Sequence, residues 1–321
     1  MKLKNRKIMI TGAAGFIGSH LVDSLVKDNF VLGYDNLSSG KREFLEHLED
    51  EDNFELIISD IFDEETLDKE MKRCDMVFHL AANPDVRVGA HDTFVHLEQN
   101  IIATYKVLEA MRNNGVKEIV FTSTSTVYGE TEIIPTPEDM GPLKPISLYG
   151  SSKLGCEALI SAYCHTFDME GISFRFANVV GPRSTHGVTF DFVNKLRDDP
   201  QELEILGSPP GTTKSYLYIT DCINGMLHAT KNAKGKVEYF NIGSQDYIDV
   251  KTIADIVCEE MDLENVNYKW TGGAGGGRGW KGDVKTMLLS IDKLEALGWT
   301  PVHDSGDAIA KTVRSLLKDG S

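Results

Sequence analysis

Thr11-Gly12-Ala13-Ala14-Gly15-Phe16-Ile17-Gly18 follows the apolar run Lys7–Ile10. It opens the stretch Gly15–Lys27, which carries Phe16, Ile17, Leu21, Val22, Leu25 and Val26 on one helical face. Strand, glycine turn and helix, in that order, let a bare backbone approach a pyrophosphate at a helix N-terminus. GxxGxxG alone also fits a tight turn, so the flanks carry the reading. Asp35 lies seventeen residues past Gly18, just after a second apolar run, Val31–Tyr34. A carboxylate there accepts hydrogen bonds from both hydroxyls of an adenosine ribose and repels a 2′-phosphate, which favours NAD over NADP. Lys41 and Arg42 argue the other way but lie beyond the Asp35-Asn36 turn.

Outward from this motif the alternation continues. Phe54–Ser59, Met76–Ala81, Glu118–Ser123 and Ser173–Phe176 read as strands; Glu64–Arg73, Thr93–Asn113 and Ser147–Phe167 read as helices. Gly115 and Gly171 stand where left-handed caps are expected. The pattern implies an α/β chain with a Rossmann-like, doubly wound parallel sheet and a smaller α/β C-terminal substrate domain. The dinucleotide-binding part is expected over 1–180, with about 217–245 added, and the substrate domain over 181–321, interleaved with it. Past Gly181-Pro182 the pattern loosens: Ser208–Thr213 holds Pro209, Pro210 and Gly211, and Gly272–Gly279 holds six glycines in eight residues. These read as working loops of a compact enzyme. Asp292–Leu297, ended by Gly298, and Gly306–Leu317 read as helices.

Composition narrows the function. The 321 residues carry 33 Lys plus Arg against 49 Asp plus Glu, a net charge of −16 that disfavours nucleic acid and anionic membranes as partners. No segment reaches the ~18 apolar residues of a membrane span. Cys74, Cys156, Cys164, Cys222 and Cys258 are odd in number and never form CxxC, so reduced thiols in a cytoplasmic protein are expected and no metal site is.

A second motif, Tyr149-Gly150-Ser151-Ser152-Lys153, begins a helix. The i,i+4 spacing puts the ammonium on the phenol's face, where a cation favours phenolate, as does the positive ring of an oxidised nicotinamide. Bringing a tyrosine from ~10 to near neutral requires about 4 kcal/mol of differential interaction. The bland reading is a helix with an exposed lysine. A third element, Ser123-Thr124-Ser125-Thr126-Val127-Tyr128-Gly129, brings hydroxyls to a strand's C-terminal end, the ligand side of such a sheet. Taken singly, those hydroxyls would only bond local backbone.

These three features, in this order, resemble the extended short-chain dehydrogenase/reductase family, and within it the nucleotide-sugar epimerases, the UDP-glucose 4-epimerases above all. The likeness runs over nearly the whole chain. It includes Asp35-Asn36-Leu37-Ser38-Ser39-Gly40, Asp60-Ile61, His79-Leu80-Ala81-Ala82-Asn83, Asn100, Arg175-Phe176-Ala177-Asn178-Val179-Val180-Gly181-Pro182-Arg183, and Arg278-Gly279-Trp280-Lys281-Gly282-Asp283. The resemblance implies a cofactor site of Gly12, Gly15, Phe16, Ile17, Gly18, Asp35, Asn36, Ser38, Ser39, Gly40, Asp60, Ile61, Asn100, Tyr149, Lys153 and Ala177. Asp60 would hold the adenine amino group, and Leu80, Ala81, Ala82 and Asn83 would run beside the nicotinamide ribose. Thr124 would hydrogen-bond the sugar 4′-hydroxyl, Tyr149 act as base and Lys153 bind ribose. Asn178 would contact the diphosphate, Val188 lie on the uridine side, and Lys214 and Arg278 clamp the pyrophosphate. Alternatives stay open: Asn100 as a tie between a helix and a strand, His79 as a satisfied core residue, Lys214 as a surface charge. The chain also departs from the pattern. Ala177 stands where the closest members often have Phe, Pro84 where some have a cofactor-binding Lys, and Lys214 where Arg is common. Met287 stands at the position resembling the gate for N-acetylated sugars.

Dehydratase and decarboxylase branches carry a carboxylate just after the position of Thr124; here Ser125 and Thr126 follow, with no acid for elimination. The expected activity is therefore NAD-dependent interconversion of UDP-glucose and UDP-galactose through a 4-keto sugar. The alternatives are UDP-GlcNAc or UDP-glucuronate as the sugar, then a nucleotide-sugar dehydratase or decarboxylase, or a non-catalytic dinucleotide sensor, a class that typically loses the Tyr or Lys kept here. Phe94, Leu97, Ile101, Ile102, Tyr105 and Leu108 make a stripe wider than one sheet face needs. The resemblance turns that stripe, with the Ser147 helix, into a four-helix homodimer interface.

Overall fold

Parallel strands covered by helices on both faces are apolar throughout, and Lys7–Thr11 (β1) is buried from its second residue onward. In the computed structural model, which describes Met1–Asp319, β1 is followed by Phe16–Leu25 (α1), Phe30–Asp35 (β2), Phe54–Ile58 (β3), Glu64–Met71 (α2) and Met76–His79 (β4). Ala103–Asn114 (α3), Glu118–Thr124 (β5), Leu148–Phe167 (α4) and Glu170–Phe176 (β6) come next. The later elements are Asn178–Val180 (β7), Val188–Asp198 (α5), Glu202–Ile205 (β8), Thr213–Lys214 (β9), Tyr216–Tyr218 (β10), Ile219–Asn232 (α6) and Val237–Ile242 (β11). Ile248–Asp249 (β12), Val250–Glu260 (α7), Asn267–Trp270 (β13), Thr286–Met287 (β14), Asp292–Glu295 (α8) and Ser305–Asp319 (α9) complete the chain. The last two residues of the expected 181–321 domain lie outside the described residues.

Seven strands form one sheet in the order β11-β6-β5-β4-β1-β2-β3. β1 pairs in parallel with both β2 and β4, β2 with β3, and β4 with β5. The strand order reverses beside β1, which makes the end of β1 a switch point where such sheets bind ligands. The doubly wound sheet read from the sequence is present.

The chain divides into two compact units. The first comprises Met1–Val127, Leu148–Arg175 and Ile223–Phe240; the second takes Tyr128–Ser147, Phe176–Cys222 and the chain from Asn241 onward. In the first, Val107, Leu108 and Met111 of α3 and Cys156, Ile160 and Cys164 of α4 bury against Val77, Ile119 and Phe121 of the sheet. In the second, Phe192, Val193 and Leu196 of α5, Ile253 and Val257 of α7, and Ile309 and Val313 of α9 enclose Leu203 and Ile205 of β8. Among the described residues no helix is long and apolar enough to cross a membrane.

Two local expectations need correction, and one holds. The helix expected over Thr93–Asn113 is interrupted by a π-helical stretch, Leu97–Ile102, before α3. Gly115 takes the left-handed conformation that ends α3. Gly171 caps nothing: Asp168, at φ 55°, makes the left-handed turn after α4, and Gly171 lies inside β6. A Cβ at Gly171 would lie 2.9 Å from both Cys164 Sγ and Ile160 Cγ2, so its bareness serves helix–sheet contact.

Candidate active site

The glycines of the first turn are fixed by collisions. A Cβ on Gly18 would lie 2.0 Å from the carbonyl oxygen of Gly12, and one on Gly12 2.8 Å from the amide nitrogen of Ala81. The turn is thus closed tightly between β1 and the segment after β4. Gly15 caps α1 with no side chain to satisfy its first amides, and no acid occupies the first turn. That leaves an electropositive cradle with donors free for a phosphate.

Asp35 ends β2 and is 8 % exposed. One carboxylate oxygen accepts from Ala14 N at 2.9 Å and the other from Leu37 N at 2.8 Å. Burial raises its pKa, partly offset by these two amides. The chain curls back so that Lys41 N donates to Ala14 O, and a Cβ on Gly40 would touch the Asp35 carboxylate. Asn36, Ser38 and Ser39 are exposed on this curl. Asn36 donates to Asp60 at 2.7 Å, beside the buried Ile61. The carboxylate, the curl and the glycine turn are thus joined by hydrogen bonds into one surface at the end of β1 and β2.

After β4, Leu80, Ala81, Ala82 and Asn83 run half-buried past the same turn, with Leu80 N and Ala81 N donating to Thr11 Oγ1. Asn100, in the π-helical stretch, accepts from Asn83 N at 2.8 Å and donates to Ser152 Oγ at 2.9 Å. It ties the segment beside the turn to α4, the positional role left open above.

His79 is fully buried between Thr11 Oγ1, at 2.7 Å from Nδ1, and Thr104 Oγ1, at 3.0 Å from Nε2. It is a satisfied core histidine. Burial, with the Lys153 charge nearby, pushes its pKa down to about 3. The unfolded chain therefore takes up a proton below its ordinary value of 6.5 that the fold refuses. Stability is present in full above that pH and lost as pH falls toward 3. Between pH 7.5 and 5 the wild type should lose about 2 kcal/mol more than a His79→Asn variant in chemical denaturation. Equal pH dependence in the two would overturn this assignment.

Strand β5 delivers Ser123 and Thr124, both buried, to the sheet's C-terminal edge. Thr124 Oγ1 accepts from Thr126 N at 3.2 Å and lies 3.1 Å from Thr126 Oγ1 within the 3-10 turn Ser125–Tyr128. Lys153, 3 % exposed, donates from Nζ to Thr122 O at 2.9 Å and stands 4.7 Å over the Phe121 ring. Burial lowers its pKa to about 8, and raises that of Tyr149 to about 12 despite a hydrogen bond with Thr124 that lowers it. Burial therefore favours the protonated phenol. The bland reading of an exposed lysine is wrong, because the side chain is locked beneath the strand ends.

In the second unit, Ala177 is buried and donates its amide to Ile242 O. Asn178 opens β7 and donates its carboxamide to Ser215 O at 3.1 Å. Val188 begins α5 behind Gly187 and packs on the unit's core. Lys214 is not the solvated charge of the bland reading: Nζ donates to the buried Asp283 at 2.5 Å and lies 5.1 Å over Trp280. Arg278 donates to Glu130 at 2.6 Å and to Gly275 O at 2.8 Å. Buried Arg278 Nε and Trp280 Nε1 have no hydrogen-bond partner. Met287 lies on β14, paired with Lys214 of β9. The acids Glu130 and Asp283 went unassigned in the sequence reading, as did Glu157 and Arg175 of the first unit. Glu157 had a signal there, four residues past Lys153 on the same helical stripe, and Arg175 and Asp283 stood in quoted motifs without a role.

The profile of the NAD-dependent epimerase/dehydratase family matches residues 8–243. A UDP-glucose 4-epimerase of Mycolicibacterium smegmatis is 32 % identical over 96 % of this chain and 97 % of its own length. A crystal structure of a UDP-galactose 4-epimerase superposes with a TM-score of 0.86 at 41 % identity, covering 98 % of this chain and 99 % of that one. A UDP-glucuronic acid 4-epimerase of Bacillus cereus, in complex with UDP-glucuronic acid and NAD, superposes with a TM-score of 0.88 at 28 % identity over 97 % and 99 % of the two chains.

Proposed function

The chain belongs to the NAD-dependent epimerase/dehydratase family, and from that premise we propose that it interconverts UDP-glucose and UDP-galactose by 4-epimerisation through a 4-keto sugar. One observation carries the reading. Thr124, Tyr149 and Lys153 meet at the ligand edge of the sheet whose glycine turn and Asp35 fit a dinucleotide, with Ser125 and Thr126, not acids, following Thr124.

NAD, when bound, supplies a reversible two-electron acceptor for C4 of the sugar. Tyr149 takes the proton of the 4-hydroxyl and later returns it. Thr124, hydrogen-bonded to that phenol, orients the hydroxyl. Lys153 holds the cofactor ribose and adds positive charge that offsets the burial penalty on the phenolate. Asn178, Val188, Lys214 and Arg278 grip the UDP portion, leaving the sugar fewer anchors so that it presents both faces in turn. The 41 % identity to a UDP-galactose 4-epimerase supports a neutral hexose. A panel of UDP-glucose, UDP-GlcNAc and UDP-glucuronate, each followed by chromatography of the 4-epimer, tests this. Turnover of UDP-glucose is expected; conversion of another sugar alone would replace the substrate, and none of them the reaction.

The reading includes a homodimer. Phe94, Leu97 and Tyr105 are 52, 44 and 42 % exposed, an apolar face that a second copy would cover. Light scattering at micromolar concentration should give twice the chain mass, and Leu97→Glu with Tyr105→Glu should halve it. A monomeric wild type would exclude the dimer.

A further inference from the structure

Helix α4 carries Tyr149, Lys153 and Glu157 at successive i,i+4 positions, a single stripe along one face. Glu157 is 2 % exposed and accepts from three donors. Ser123 Oγ of β5 donates to Oε1 at 2.5 Å, Arg175 Nε of β6 to the same oxygen at 3.0 Å, and Arg175 Nη2 to Oε2 at 2.8 Å. Arg175 is 4 % exposed and lies 5.0 Å over the Tyr239 ring of β11. A buried ion pair contributes little net stability compared with apolar side chains of the same volume, so its place on this stripe calls for another account. Ser123 adjoins Thr124, and Lys153 is one turn from Glu157. An uncompensated carboxylate at that point would tighten the lysine's hold on its proton and oppose ionisation of the phenol.

We propose that Arg175 is a positioning residue for the reaction: by forking Glu157 against Ser123 it locks the Tyr149–Lys153 stripe onto the ends of β5 and β6, and it cancels the one acid that would keep Tyr149 protonated. The proposal rests on the epimerase reading for the use of Tyr149, but not for the charge balance itself. The other titratable groups around the stripe are uncharged near neutrality. His79 of β4 and His96, whose ring meets that of Tyr149 at 5.7 Å, are held neutral by burial. Cys156 of α4 and Tyr239 of β11 are held protonated by burial. Lys153, Glu157 and Arg175 are the buried charges of this cluster, and Asp85 and Asp92 act on it through His96.

The account demands shifts of opposite sign. Arg175→Met leaves the acid alone and should raise the pKa of Tyr149; Glu157→Gln leaves the cation alone and should lower it. With about 12 Å of helix rise between Tyr149 and Glu157, each shift should be about one pH unit. The double variant should return close to wild type, and Arg175→Lys, which keeps the charge, should stay there too. The experiment is isotope-edited NMR of the tyrosine ring carbons in NAD-loaded protein, titrated against pH and assigned with Tyr149→Phe. The pH profile of kcat is measured in parallel, and Arg175→Met should be about tenfold slower at neutral pH. Shifts of the same sign, or none, would show a purely structural pair and overturn the proposal. If Arg175→Met is insoluble, Glu157→Gln and the double variant still decide the sign. Opposite shifts without turnover of any UDP-sugar would count against the epimerase reading and for the charge balance; turnover with unmoved titrations would do the reverse.

Discussion

Replacing Tyr149 by phenylalanine is expected to cut interconversion of UDP-glucose and UDP-galactose by about a thousandfold or more, while NAD stays bound. The size follows from the work assigned to one hydroxyl. General acid–base catalysis contributes about 10² to 10⁴ in rate, and a thousandfold corresponds to roughly 4 kcal/mol at the transition state. Burial, only partly offset by the hydrogen bond with Thr124, pushes this phenol up to about 12, and Lys153, itself lowered to about 8, sits on the same helical face. A second positive charge has to arrive before the proton can leave at neutral pH, so phenol chemistry and cofactor occupancy are linked. The substitution keeps the ring, and with it the edge contact to His96, so the fold should be unaffected. Turnover and extracted dinucleotide measured on the same preparation check this: undiminished turnover removes Tyr149 from the reaction, and lost NAD shows a structural effect.

The other large effect is expected from a single methyl group. Gly18→Ala puts its Cβ 2.0 Å from the Gly12 carbonyl oxygen and 2.9 Å from its carbon. Both are backbone atoms that no side-chain rotation can move. The turn must open, which costs about 3 kcal/mol or more, at or beyond the usual upper range for overpacking, and the amides that would face a pyrophosphate lose their alignment. The variant should melt several degrees lower and purify without dinucleotide. Gly115→Ala is the control. Beyond its chain neighbours no described atom lies within 4 Å of its added methyl, so the left-handed backbone is what resists, at about 1 to 2 kcal/mol, and NAD should remain. Equal NAD retention in the two variants would contradict the cradle.

What could be read without coordinates was what is local. The glycine turn, Asp35 and the Tyr149–Lys153 pair are each defined by short spacing, and the local geometry follows it: a turn closed against the segment after β4, a carboxylate at the end of β2, and a buried lysine one helical turn from the tyrosine. Beyond Gly181 the periodicity fails for physical reasons. In α5, Val188, Phe190 and Phe192 alternate like a strand, and α6 has Gly225 in its interior. Gly171 misled because glycine near a helix end suggests a cap, whereas its use is to let Cys164 and Ile160 approach β6. Long-range partners were illegible for a different reason: Asp283 is 69 positions from Lys214, and Glu130 is 148 from Arg278. Nothing in the chain between them marks the pairing.

Those two pairs bear on the proposed recognition of the nucleotide end. Lys214 and Arg278 already hold carboxylates, so under the proposed function an incoming anion at either cation competes with a resident one. Its observed affinity is then the difference between two contests, not the full attraction of a bare positive site. Small mobile anions gain little from such an exchange, whereas a ligand tethered through a base and a ribose can afford it. On the proposed function, discrimination against free phosphate would reside in the acids as much as in the bases.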